Sequence, residues 1–468
     1  MDFLGTLRAI LDAGDLLTGE SCAPFESDHR RLYHGHALAV AQPRSVEQVA
    51  RLLAACNAAR VGVVPHGGNT SYCGGATPDE SGRQLVLSLA RMNRVRGVDP
   101  ENYSLTAEAG CILARVQEAA AAADRHFPLS LGSEGSCQIG GNLSTNAGGV
   151  HVVHYGMMRD LVLGLEVVLA DGRVLPGLTA LRKDNTGYDI RGLFLGAEGT
   201  LGVITAASLK LFPRIRSSAT ALAAVAEPSS AVTLLAQLRE TSGDSLSSLE
   251  LIPRIGIELT TAHIPGITDP LGAPHAWYVL CELTSSRAGE PLEARLTEAL
   301  AAAYEVGLVQ DAVVARSERE RAALWKIRET IPEAQRHEGP GLKHDISVPV
   351  SALPEFVARG RAWVAAQVPA ARLVAYGHVG DGNLHFNLQG RAADGAALLA
   401  RAEEVRRALH DLAAELGGSF SAEHGIGRLK VAELERYAPP AELALMYAVK
   451  RALDPNGIMN PGKVLRGG

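Results

Sequence analysis

The segment His378-Val379-Gly380-Asp381-Gly382-Asn383-Leu384-His385 leaves a chain few ways to fold. Leu373 to Val379 and Asn383 to Leu388 read as short strands, and the Asp-Gly between them tolerates the positive φ angles of a tight hairpin. With Asp381 and Gly382 as the turn, Gly380 faces Asn383, Val379 faces Leu384 and His378 faces His385. Directly opposed residues have Cβ atoms roughly 4.5 to 5.5 Å apart, so both imidazoles reach one metal ion. Asn387, two residues on, points to the same face as His385. Downstream, Ser421-Ala422-Glu423-His424-Gly425 offers Glu423 to complete a two-histidine, one-carboxylate set with positions open for a substrate. His424 is then left for proton transfer. Taken alone, the two histidines read equally as a packed or surface pair, and His424 as a residue that hydrogen-bonds its own turn.

A length of 468 residues exceeds one ordinary core and implies two or three domains. Hydrophobic residues at 47% against 21% charged give a globular protein with ample buried surface. The net charge of −6 offers no broad attraction to nucleic acid or anionic membrane, so a phosphate or carboxylate must be met by local groups. No apolar run reaches the ~18 residues of a membrane span, and Met1-Asp2-Phe3-Leu4 does not open like a secretory signal. Cysteines 22, 56, 73, 111, 137 and 281 form no Cys-x-x-Cys pair, which argues against iron–sulfur clusters and a zinc ribbon. Free thiols in a reducing cytoplasm are expected.

Ser45 to Cys56 reads as a helix with Ser45 and Gln48 as a capping box and Val49, Leu52, Leu53 and Cys56 on one face. A strand at Val61–Val64 follows, then a β-rich stretch with a hairpin at Asp171-Gly172 between Leu165–Ala170 and Val174-Leu175. The strand Leu201 to Phe212 closes it. Beyond about residue 215 glycine thins and alanine-rich helices alternate with strands such as Trp277 to Leu283. Asp394 to Leu416 reads as one amphipathic helix carrying the chain from the histidine hairpin to Glu423.

Pro65-His66-Gly67-Gly68-Asn69-Thr70-Ser71 follows a strand directly, where glycines let the backbone turn sharply and present N–H groups to an anion. Gly132 to Gly149 is a second such segment. Neither matches Gly-x-Gly-x-x-Gly opening a helix, nor a P-loop, which removes the usual nicotinamide and nucleoside-triphosphate readings. The residues themselves leave two readings open, a phosphate-bearing ligand or glycine-rich turns.

These two segments, Gly196-Ala197-Glu198-Gly199-Thr200-Leu201-Gly202, the two histidine segments and the closing Asp454 to Lys463 together resemble the FAD-linked D-2-hydroxyacid dehydrogenases, flavoproteins of the vanillyl-alcohol-oxidase type. The six ordered blocks span nearly the whole chain. The resemblance implies an α+β protein with a two-subdomain FAD-binding domain at 1–214 and a substrate or cap domain on an antiparallel sheet at 215–420. A C-terminal segment at 421–468 returns to the flavin. It also implies that Gly67, Gly68, Asn69, Thr70 and Ser71, with Pro65 beside them, hold the FAD diphosphate. Gly132, Ser133, Gly140, Gly141, Asn142, Thr145, Gly148 and Gly149 would line the cofactor, Glu198, Gly202 and Ile204 its adenosine half, and Asn460 its isoalloxazine. His66 sits where this family leaves the flavin unbonded, so FAD is expected to be noncovalent.

Oxidising a 2-hydroxy acid removes a hydride, which flavin accepts, and a proton. A cation on His378, His385 and Glu423 would stabilise the developing alkoxide, and His424 would be the general base, imidazole having an ordinary pKa near 6.5. Imidazole and carboxylate ligands favour zinc, with manganese, iron or cobalt also compatible. Arg328 and Lys343 read alone as a solvated helix residue and a strand-edge charge. Their setting resembles the D-2-hydroxyglutarate dehydrogenase branch, where such cations hold the distal carboxylate, which an arginine fork suits. Pro332 departs from the hydroxyl residue of that branch, which ranks D-malate second and D-lactate third. The absence of a cysteine cluster sends electrons to an external electron-transfer flavoprotein or quinone-linked carrier, and the resemblance implies a homodimer. A flavin electron-transfer subunit would not need the four metal-segment residues together, and a zinc hydrolase would be colourless.

Overall fold

The structure, a computed structural model, describes residues 3–391 and 395–467, which divide into two compact units. One consists of Met1–Gly148, Gly156–Arg214 and Glu423–Gly468, the other of Gly149–Tyr155 and Ile215–Ala422. Against the expected limits of 1–214, 215–420 and 421–468, the chain makes one excursion, at Gly149–Tyr155. Val150 packs against an apolar cluster of the second unit, and its carbonyl accepts a hydrogen bond from Ser248 Oγ at 2.8 Å.

In the first unit the helix Val46–Ala59 starts where its cap predicts, with Ser45 Oγ accepting from Gln48 N at 3.3 Å. The Gln48 side chain reaches Arg44 N instead of the Ser45 N–H, so the reciprocal half of the capping box is displaced by one residue. The expected strand at Val61–Val64 is observed at Val63–His66, where it pairs in parallel with Gln84–Ser88. Leu16–Leu17 and Ala37–Ala41 complete that four-stranded sheet. A five-stranded antiparallel sheet runs Val95–Asp99, Ser104–Glu108, Val203–Lys210, Val162–Val168, Val174–Gly177. Its last two strands join through Gly172, which takes φ +87 and donates to Leu169 O at 2.9 Å, the turn expected of Asp-Gly.

The second unit is built on an eight-stranded antiparallel sheet. Its path runs Asp311–Val314, Ser217–Val225, Trp277–Ser285, Leu246–Pro253, Arg372–His378, Asn383–Gln389 and Gly341–Leu342, with Asp345–Ser347 also pairing Asn383–Gln389. Helices cover both faces because the strands alternate two apolar sets. Ala221, Leu251, Val279 and Ala375 belong to one core with Phe356 and Leu409. Leu222, Ile252, Tyr278, Val374 and Tyr376 belong to another with Leu324, Ile327 and Ile331 of the helix Glu318–His337.

The single amphipathic helix expected over 394–416 is two helices, Gly395–Ala400 and Ala402–Glu415, parting at Arg401; Asp394 lies outside the described residues. A Cβ on Gly395 would come within 2.7 Å of the Pro340 ring, so the first piece follows that segment, while Val405, Leu409 and Ala413 enter the main core. No helix among the described residues is long and apolar enough to cross a membrane.

Candidate active site

In the first unit, the Val63–His66 strand delivers the chain into the Gly67–Ser71 loop. Among the described residues no acceptor meets the backbone N–H groups of Gly67, Gly68, Asn69, Thr70 or Ser71. Asn69 adopts φ +51 and its side chain donates to Ser27 O at 2.8 Å, which holds the loop open. Consecutive unclaimed donors make a concavity for an anion, so this loop fits a diphosphate. Gly68 lies so close to the 132–149 segment that a Cβ would stand 2.2 Å from Ser136 O, and one on Gly140 would stand 2.7 Å from Ala109 Cβ. A Cβ on Gly132 or Gly141 would meet open space. Ser133 O accepts from Ser136 N and Cys137 N, Asn142 is buried, and Thr145 Oγ1 bonds back to Gly141 O at 3.0 Å. Gly148 ends the first unit's stretch and Gly149 opens the excursion into the second.

Pro65 precedes His66, whose Nδ1 is 3.1 Å from Ala76 O; burial pushes the His66 ring below its usual pKa, and the Ala76 contact partly restores it. Among the described residues of this unit three buried oxygens lack a partner, Thr77 Oγ1 and the amide oxygens Gln138 Oε1 and Asn460 Oδ1. Such acceptors suit the N–H groups of a heterocycle. Asn460 Nδ2 is fixed by Gly75 O and Glu198 O at 3.0 and 2.8 Å. Gln138 carried no signal in the sequence beyond its glycine-rich setting.

The Glu198 carboxylate accepts from Ile426 N and Gly427 N at 2.6 and 2.8 Å. Burial raises its pKa, against the pull of those two N–H groups. It thereby anchors the segment that follows His424 within the first unit. Gly202 packs against Val167 and Phe194, and Ile204 is a buried strand residue paired with Val167. The His424 ring meets Tyr72, the residue after the 67–71 loop, with centroids 4.7 Å apart and planes at 89°. Glu423 is the first residue of that same returning stretch.

In the second unit the histidine hairpin forms, with a register different from the expected one. His378 opposes Asn383, Gly377 opposes Leu384 and Tyr376 opposes His385, so Val379 to Gly382 make a four-residue connection. Val379 leaves the ladder because its side chain is fully buried in the core and its N–H donates to Leu249 O at 2.9 Å. The shift is two residues, which preserves the faces. His378 and His385 become diagonal neighbours whose ring centroids lie 5.8 Å apart at 76°. Val374 opposes Asn387, which lies on the same face two residues beyond His385.

Each imidazole has a carboxylate on its Nδ1 side. Glu250 Oε1 lies 2.6 Å from His378 Nδ1, and Asp345 Oδ1 lies 4.0 Å from His385 Nδ1. Burial alone would raise the Glu250 carboxyl, but the charges of His378 and Arg328 outweigh it and hold it at about 2. An ionised carboxylate only accepts, so His378 Nδ1 carries a proton toward Glu250, and Nε2 is the nitrogen left for a ligand. This donor set fits a divalent cation of the zinc type.

Arg328 and Lys343 also lie on this side of the sheet. Arg328 Nε donates to Glu250 Oε2 at 2.7 Å, with the guanidinium 4.8 Å above the Tyr376 ring. Arg328 is therefore buried in an ion pair and is not a solvated helix residue. Two turns along the same helix, Gln335 Oε1 accepts from Lys343 Nζ at 2.7 Å and Asn387 Nδ2 at 3.1 Å, while its buried Nε2 has no partner. Glu250, Asp345 and Gln335 went unrecognised in the sequence. Glu250 reads there as the one charged residue of the strand Leu246–Pro253, 128 positions from His378.

Comparison with known proteins agrees with this architecture. The family of FAD linked oxidases, C-terminal domain, matches residues 214–464, and an FAD binding domain family matches 37–176. A D-2-hydroxyglutarate dehydrogenase of Arabidopsis thaliana is 38% identical, covering 99% of this chain and 80% of its own length. One of Xanthomonas citri pv. viticola is 37% identical over 93% of this chain and 91% of its own. Among solved structures, p-cresol methylhydroxylase superposes with a TM-score of 0.76 at 17% identity, covering 99% of this chain and 96% of that one. The 4-ethylphenol oxidase of Gulosibacter chungangensis gives 0.74 at 20% identity, with the same coverage of each chain. Together with the unclaimed donors of the Gly67–Ser71 loop, these matches establish that the chain belongs to the FAD-linked D-2-hydroxyacid dehydrogenases, flavoprotein oxidoreductases of the vanillyl-alcohol-oxidase type.

Proposed function

We propose that this chain oxidises D-2-hydroxyglutarate to the 2-oxo acid, with noncovalent FAD and a divalent cation, zinc before manganese, iron or cobalt, held by His378, His385 and Glu423. The observation that carries the reading is the strip on one sheet face. It holds two imidazoles backed by carboxylates at one end and Lys343, Asn387 and Gln335 gathered two residues further along the strand. Two residues of strand span about 6.6 Å, a separation suited to the two ends of a five-carbon diacid. The dehydrogenases named for D-2-hydroxyglutarate at 37–38% identity support the same substrate.

When bound, FAD accepts the substrate hydride and the cation polarises the α-hydroxyl. The chain's own residues do the rest. His424, edge-on to Tyr72, takes the hydroxyl proton on its imidazole nitrogen. Lys343 and Arg328 neutralise the distal carboxylate, with Asn387 as a further donor. The loop donors of Gly67 to Ser71 and the oxygens of Gln138 and Asn460 hold the cofactor. Glu423 follows Ser419 by four residues, and Ser419 exchanges both backbone hydrogen bonds with Ser347 opposite Asn383. Four residues reach at most about 14 Å, which bounds how far along the chain Glu423 stands from that ladder. An electron-transfer flavoprotein or a quinone-linked carrier would be the external acceptor of the electrons. D-malate is a second substrate reading, because Pro332 gives no hydroxyl on the helix between Arg328 and Gln335.

Anaerobic flavin bleaching with a panel of D- and L-hydroxy acids tests this directly. D-2-hydroxyglutarate is expected to reduce the flavin fastest; faster bleaching by D-lactate or by the L-enantiomer contradicts the assignment.

A further inference from the structure

Glu250 sits fully buried in the Leu246–Pro253 strand, directly opposite His378 in the ladder. Its two oxygens are divided, Oε1 to His378 Nδ1 at 2.6 Å and Oε2 to Arg328 Nε at 2.7 Å. A buried ion pair adds little to stability over apolar side chains of the same volume, because desolvating each ion costs several kcal/mol. The fold would be served as well by a hydrophobic trio. What the carboxylate does supply is orientation. It fixes which nitrogen of His378 carries the proton, and it fixes the plane of the Arg328 fork, which also lies over Tyr376.

We infer that Glu250 is a positioning residue that couples the affinity for the cation to the hold on a dicarboxylate, because one rigid carboxylate aims both His378 and Arg328. The inference rests on the proposed function above and goes beyond it. A rotation or loss of this carboxylate displaces the cation end and the diacid end of the site together, although Glu250 touches neither ligand.

The test uses Glu250→Gln in the flavin-loaded protein. Glutamine keeps the volume but turns one oxygen into a donor, so either His378 Nδ1 or Arg328 Nε meets another donor instead of an acceptor. Zinc affinity, read by competition with a chromophoric chelator, is expected to fall about 10- to 100-fold. KM for D-2-hydroxyglutarate is expected to rise about tenfold in the same protein, with flavin content unchanged. A folded, yellow Glu250→Gln protein whose zinc affinity and KM both stay within about twofold of wild type overturns the inference, as does a change in only one of the two. Should Glu250→Gln fail to fold, Arg328→Lys carries the test, since it keeps a cation but loses the planar Nε contact. It must then weaken zinc binding at least about threefold, and unchanged affinity overturns the coupling. A wild-type protein that binds no zinc, manganese, iron or cobalt fails the underlying metal reading instead, an outcome distinguishable before any variant is made.

Discussion

The imidazole of His424 stands edge-on to the ring of Tyr72, centroids 4.7 Å apart, which sets the proposed base directly after the loop that offers its N–H groups to the diphosphate. A positioned base contributes about 10²- to 10⁴-fold. His424→Ala is expected to lower the rate of flavin reduction by that factor with the flavin retained. Tyr72→Phe, which keeps the ring, should stay within about threefold. Stopped-flow reduction rates decide the matter, and a loss under about fivefold in His424→Ala would remove this residue from proton transfer.

Gln335 gives two donors one acceptor, Lys343 Nζ at 2.7 Å and Asn387 Nδ2 at 3.1 Å. Gln335→Leu leaves both without it, at a cost of about 1–3 kcal/mol in the hold on their positions. The expected result is a fall of about tenfold in kcat/KM for D-2-hydroxyglutarate with D-lactate use within about threefold. Equal losses on both substrates would place the diacid end elsewhere.

At Gly68 a Cβ would press against backbone, 2.2 Å from Ser136 O and 2.9 Å from Cys137 Cα. Neither neighbour is the end of a flexible side chain, so Gly68→Ala must part the two glycine-rich segments, at about 1–3 kcal/mol. The purified variant is expected to lose most of its 450 nm flavin absorbance, roughly in proportion to that strain. Full retention of colour and affinity would mean that these segments do not jointly hold the cofactor.

Lys463 is buried, and burial first, then the nearby Arg428 charge, pushes its ammonium down to about 8, with Asp79 opposing. Between about 8 and the ordinary value of 10.5 the unfolded chain binds the extra proton, so stability rises with pH across that window. Lys463→Met removes the dependence. Denaturant unfolding of both proteins should show wild type gaining about 3 kcal/mol on the variant from pH 7 to pH 10.5. A difference that stays flat with pH would show that the lysine is solvated.

The sequence made the hairpin legible but misjudged its connection. Asp-Gly signals a turn without stating its length, and the burial of Val379 together with its bond to Leu249 O lengthened the loop to four residues. Gly382 takes φ +76 there, and a Cβ on it would stand 1.9 Å from Val348 O, so glycine is required at that corner for a packing reason that no local pattern announces. Because side chains alternate with period two, the two-residue shift left both imidazoles on one face and the chemical reading survived the register error. The helix break at Arg401 was invisible because apolar spacing continues through it; only the separate partners of its two halves reveal it. Glu250 and Gln335 escaped notice because their partners arrive from strands and helices far along the chain.

Whether a cation on the histidine pair and an oxidised flavin act on one substrate is tested by stripping divalent metal from the protein with a chelator, confirming that FAD remains, and following anaerobic flavin reduction by D-2-hydroxyglutarate. The expected reduction rate is at least about a hundredfold slower, restored by zinc, manganese, iron or cobalt in protein with His378 and His385 intact and not in His385→Ala. Metal-free, flavin-loaded protein that is reduced as fast as the untreated enzyme would contradict it.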